Sequence, residues 1–143
     1  MSNVNDDLKL KGKLTIALND EVVQEVDNLV VTAGKGYVAS RIKDASATAM
    51  SHMAIGSGTT NPAANDTALE TELGRVSLTS TSVSGAVVTY VATFGAGTGT
   101  GAVTEAGILN ASSSGTLLCR TEFNVVNKGS SDSMTVTWTV TVS

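Results

Sequence analysis

From Leu8 to Leu18 the apolar side chains keep to one parity, at Leu8, Leu10, Leu14, Ile16 and Leu18, with lysines between the early ones. Alternation with period two predicts a half-buried β-strand. Asn19-Asp20 is a turn signal, so "EVVQEV" after it reads as the returning strand of a hairpin, and "NLVVTAG" as a third extended piece ending at Gly34. The period then changes. Tyr37, Val38, Arg41 and Ile42 recur at helical spacing, which predicts one short amphipathic helix over Lys35–Ala45 with Thr32 as its candidate cap. "HMAIG" reads as a short buried strand. Gly56-Ser57-Gly58, Pro62 and Asn65-Asp66 follow, all turn chemistry, and Thr67 with Glu70 has the capping-box spacing that starts a helical turn before Arg75.

The second half is read as strands throughout. "RVSLTSTSVSGAVVTYVATFG" folds back on itself at Ser84-Gly85, with Val88, Tyr90, Ala92 and Phe94 on one face of the returning strand. A glycine-rich loop, "AGTGTG", leads to the strand "VTEAGILN", the turn "ASSSG", the strand "TLLCRTEFNVV" and the turn "NKGSSD". In the last strand Met134, Val136, Trp138, Val140 and Val142 share one side, and Thr135, Thr137, Thr139 and Thr141 the other. Strand after strand at short spacing predicts a mainly β fold, an antiparallel β-sandwich, jelly-roll-like, with one short helix and a helical turn. Residues 1–13 form an N-terminal arm and the start of the first strand; residues 14–143 form a single β-sandwich domain.

Composition narrows the function classes. Aromatic residues are only 3% and charged residues 15% of the 143, so the surface must be built from Ser, Thr, Asn and Gly. Such a neutral surface suits extensive contact with other subunits, or else is a plain Ser/Thr solvent face. The net charge is −4, with basic residues scattered except for the stripe Lys9, Lys11, Lys13, so no concentrated positive field invites nucleic acid. No apolar run approaches membrane-spanning length, and "MSNVNDDLKL" lacks the apolar core of a signal peptide, so no membrane partner and synthesis in a cytoplasm are expected. Cys119 is the single cysteine; inside the apolar run "LLCR" it reads as a buried, inert thiol.

Catalytic candidates each meet a structural alternative. Gly97-Thr98-Gly99-Thr100-Gly101-Ala102 can be forced onto a dinucleotide fingerprint, but Val103-Thr104 continues as a strand where a helix N-terminus is required. His52 is the lone histidine; Asp44, Asp66, Glu70 and Glu72 lie near it in sequence at no recognised ligand spacing, and it reads as a structural residue opening a strand. No Gly-x-Ser-x-Gly elbow accompanies the many serines. The expectation is a protein without catalytic residues, cofactor or metal.

Three segments resemble a family of small tailed-bacteriophage virion proteins. They are "NLVVTAGKGYVASRI", "MSHMAIGSGTTNPAANDTALETELGR" and "VTEAGILNASSSGTLLCRTEF", followed by a Thr-rich closing strand. The shared pattern is a MAxGxGTT strand-loop, a DTxLxxEL-x-R turn, an EAG strand and a TVTWTV-type strand. The resemblance implies a non-enzymatic virion structural protein: a capsid decoration (cement) protein on the capsid surface, or alternatively a tail-tip or tail-fibre domain that binds a receptor. The implied partners are the major capsid protein and further copies of the chain, as dimer or trimer. Contacts are then expected from the arm (Asn3, Leu8, Lys11, Lys13), the loop with Ser57, Thr59, Thr60 and Asn61, and the glycine-rich loop with Gly97, Thr98 and Gly99, because loops on a rigid scaffold commonly carry binding.

Overall fold

The computed structural model describes residues 8–143. Nine strands and one helix follow in the order β1 (Leu10–Leu18), β2 (Glu21–Val30), α1 (Thr32–Lys43), β3 (His52–Gly56), β4 (Glu72–Ser77), β5 (Ser80–Ser84), β6 (Val87–Phe94), β7 (Gly101–Leu109), β8 (Leu117–Lys128) and β9 (Met134–Val142). All nine strands pair antiparallel in one sheet of order β4-β3-β7-β8-β2-β1-β9-β6-β5. The mainly β, antiparallel character is as the alternation predicts. The hydrogen bonding draws one curled antiparallel sheet whose two groups of strands are joined through β2.

The connection between β4 and β5 shows how the sheet is shaped. These strands end opposite edges of the sheet, yet only Leu78 and Thr79 separate them in sequence. Two residues span at most about 10 Å between flanking strands. The sheet must therefore curl until its two edges meet, giving a half-barrel. Leu78 N donates to Ser51 O at 2.9 Å and Thr79 N to Val91 O at 2.7 Å, so the link is stitched to both margins. The sequence pattern, one apolar-hydroxyl run from Arg75 to Ser84, hid this break.

β2 makes the turn from one half of the curl to the other. It pairs with β1 from Glu21 to Asn28 and with β8 only at Leu29 and Val30. It is thus one strand where two extended pieces were expected, and α1 begins at Thr32, three residues earlier than predicted. Val31 occupies the cap position without a side-chain bond, so Thr32 is helical and not a cap. The start of α1 lies close on β8: a Cβ at Gly34 would come 2.0 Å from Leu118 O. Tyr37 and Val38 pack against the main core, whereas Ile42 is exposed, so the helix is less amphipathic than its spacing suggested.

One cluster fills the concave side of the curl. Leu14 and Ile16 of β1, Phe94 of β6 and Trp138 of β9 meet Met53 and Ile55 of β3, Ile108 of β7 and Phe123 of β8. Of the Met134–Val142 alternation predicted from sequence, Met134, Val136, Trp138 and Val140 form the buried face of β9, and Val142 is half-buried. A second, smaller cluster lies on the opposite face, with Ala54, Leu109 and Leu117 beneath Val31 and Leu69. β3 and β7 are consequently buried on both sides, which explains why their sequences do not alternate.

Candidate functional site

The densest polar constellation lies on the convex side of β7 and β8. Glu105 and Arg120 are almost completely buried there. A buried carboxylate is tolerated only when its lone pairs are occupied and its charge is met. Both requirements are filled by the segment 57–71, which crosses the outside of the sheet as a strap. One Glu105 oxygen, Oε2, accepts Gly58 N at 2.7 Å and Thr71 N at 2.8 Å. The other, Oε1, accepts Glu70 N at 2.9 Å and Arg120 Nε at 3.0 Å. Arg120 then reaches the strap with its remaining nitrogens: Nη1 donates to Asp66 Oδ2 and Nη2 to Thr60 O, each at 3.0 Å. Thr104 Oγ1 donates to Gly58 O at 2.6 Å. Both ends and the middle of the strap are thereby fixed to three side chains, Glu105, Arg120 and Thr104.

The local sequence is shaped by this lock. A Cβ at Gly58 would sit 2.3 Å from Glu105 Oε2, and one at Gly56 2.3 Å from Thr71 O. Gly107 leaves room for Leu69 and Leu117, whose methyls would lie 2.9 Å from an added Cβ. The helical turn predicted after Thr67 does not form, because Glu105 takes the amides of Glu70 and Thr71. Glu70 instead turns its carboxylate to Thr59 N at 3.0 Å. The Thr60 hydroxyl, followed by the Thr59 amide, holds the Glu70 carboxyl below its ordinary range. Arg75 completes the arrangement from β4. It forks onto Glu72 at 2.7 and 3.1 Å and donates to Ala111 O and Ser114 O, which pins the turn after β7.

The expected contact residues divide between two kinds of place. Ser57, Thr59 and Thr60 belong to the strap: their backbone groups bond Thr71 O, Glu70 and Arg120, while Thr59, Thr60 and Asn61 are exposed. In the glycine-rich loop Gly97 and Gly99 have positive φ, which glycine adopts without strain. Gly99 is buried against Ile55, and the buried Lys128 ammonium donates to Gly95 O at 2.8 Å, so this loop is fastened to the body. Leu8, Lys11 and Lys13 are exposed at the start of the first strand, Lys13 within 3.4 Å of Glu25. Asn3 lies outside the described residues. The structure does not bring the three groups into one site.

His52 and Cys119 lie apart from this constellation. His52 opens β3 with Nδ1 2.7 Å from Ser51 Oγ and Nε2 3.4 Å from Ser77 Oγ. Cys119 is fully buried, and burial pushes its thiol pKa far above the ordinary value. Among the described residues no group of three or more His, Cys, Asp or Glu could hold a metal ion. No helix among them is long and apolar enough to cross a membrane. Tyr37 and Tyr90 are half-buried against the core and line an open groove of about 540 Å³ between α1 and β5–β6, together with Arg41.

Sequence reasoning missed Glu105 and Arg120. The available signal was a lone charge at the centre of each of two apolar runs, "VTEAGIL" and "LLCRT", since charged residues are rarely buried unless paired. No family model, curated protein or solved structure matches this chain.

Proposed function

We propose that the chain is a non-enzymatic structural protein of a tailed-phage virion, a capsid decoration protein that binds across major capsid protein subunits and stabilises the head. The observation that carries this reading is where the resemblance falls. Gly56 and Gly58 of the first pattern, Asp66 and Leu69 of the second, and Glu105 with Gly107 of the third converge on the strap and its lock. Residues far apart in sequence thus form one structural unit, as shared scaffold residues should. A strap fixed by a desolvated ion pair suits a part whose work is adhesion between subunits. A weak contact repeated over many copies then suffices, without a single strong hot spot. Within this reading the curled sheet serves as the decoration protein's jelly-roll-like sandwich, its two halves joined through β2.

The test is to compare particles assembled with and without the protein. Heads lacking it should release their genome at lower temperature or milder osmotic shock; equal resistance would overturn the reading. The tail-tip or fibre alternative draws support from the groove beside Tyr37, Tyr90 and Arg41, since aromatic faces with a cation suit a glycan. Binding of host-surface glycans by the isolated protein, abolished by Tyr37→Ala, would favour it.

A further inference from the structure

The charges of this acidic chain are segregated along one strand. At the start of β1 a groove of about 790 Å³ opens against α1, with Leu8, Val38 and Ile42 among its apolar lining and Lys9, Lys11 and Lys35 around it. Leu8 is 69% and Ile42 75% exposed, so apolar surface that a lone molecule has no reason to display lies open here. Among the described residues no carboxylate lines the groove, and none of its three lysines takes part in an ion pair.

At the far end of the same strand the chemistry is inverted. The β1–β2 turn and the first residues of β2 carry Asp20 and Glu21, which take part in no ion pair among the described residues. Beside them Val22 is 60% and Val23 44% exposed. One end presents ammonium groups around an apolar trough; the other presents carboxylates around a pair of valines. The nine residues of β1 hold the two ends roughly 30 Å apart at the usual strand rise. A molecule cannot fold its own hairpin tip back into its own groove.

We propose that the groove receives the β1–β2 hairpin tip of a second copy of this chain. Apolar contact between Val22, Val23 and the Leu8–Ile42 trough excludes water. Asp20 and Glu21 then meet the lysines, which steers the encounter and sets its orientation. Because every copy carries both the tip and the groove, contacts either pair reciprocally between two copies or run head to tail and close into a ring. The inference is independent of the virion reading: self-association in dilute solution needs no capsid.

A charge exchange tests it by sedimentation equilibrium of the purified chain over a concentration series at low and high salt. The wild type should self-associate, more weakly as salt rises. A groove variant (Lys9→Glu, Lys11→Glu, Lys35→Glu) and a tip variant (Asp20→Lys, Glu21→Lys) should each associate about tenfold or more weakly. Mixing the two variants should restore complexes. Val22→Ser, an exposed change that leaves the charges intact, should weaken the wild-type association alone. Circular dichroism checks that all variants are folded. A wild type that stays monomeric throughout overturns the proposal, as does association unaffected by either reversal. So does failure of the folded variants to recombine, which would leave the groove to an acidic segment of some other protein.

Discussion

Cys119 and Asn28 show what single residues could and could not disclose. The thiol's burial was legible, because an apolar run around one cysteine says core. Asn28 was not: nothing in "EVDNLV" says that its side-chain oxygen accepts the Trp138 indole N–H at 2.6 Å. Gly12, directly opposite on β1, provides the space, since a Cβ there would fall 1.6 Å from Asn28 Oδ1. That relation joins residues far apart in sequence, and no local pattern encodes it. The buried thiol has a consequence for pH. Its pKa is raised in the folded state, whereas in the unfolded chain a thiol ionises near about 8.5. Above that pH the unfolded state binds fewer protons than the native state, so stability falls as pH rises. Tyr90, pushed up by desolvation to about 12, adds a second decline above about 10. Urea midpoints measured from neutral to strongly alkaline pH should fall from about pH 8.5 onward, the unfolding free energy dropping by up to about 1.4 kcal/mol per pH unit. Cys119→Ala should delay the decline until tyrosine begins to titrate.

At the scale of elements, strands with one solvated face announced themselves. β9 alternates because water lies on one side, and its buried face is the one assigned; in β6 the alternation is confined to Ala92–Phe94, with Val87 to Val91 all half-buried. β7 and β8 were recognised as strands, but not the fact that their convex face is covered. Covering depends on a strap whose sequence consists of turn residues, and whose path is set by hydrogen bonds to one carboxylate. The helical turn after Thr67 illustrates the competition. Its capping-box spacing is a local preference, and four hydrogen bonds to Glu105 outweigh it. Removing that charge should therefore affect the element and not merely the residue. Glu105→Gln removes the buried one of Arg120's two carboxylate partners and leaves only Asp66, a loss of about 3 kcal/mol by urea denaturation. Amide exchange at Gly58, Glu70 and Thr71 should accelerate far more than exchange in β9. Uniform acceleration across the sheet, or unchanged stability, would show that the lock does not hold the strap.

For the whole molecule, the central physical fact is a sheet curled until Leu78 and Thr79 can join its two margins. Sequence reasoning recovered the strand content and the single helix. It could not recover the curl, because closure is decided by which strands pair, and pairing leaves no mark on a single strand's period. The same limit applies to function. The sequence patterns at Gly56, Gly58, Asp66 and Glu105 are those that hold the scaffold together. The surfaces that stand open are the lysine-rimmed groove, the acidic hairpin tip and the outer side of the strap. All of them are built from ordinary residues without a signature. A protein acting as mechanical cement should be found wherever subunits of the head adjoin, in symmetric order and at high copy number. Reconstruction of intact particles by electron cryomicroscopy measures this directly. The account predicts density matching the curled sheet repeated over the joints between capsomers; density confined to the tail, or absent from the particle, would contradict it.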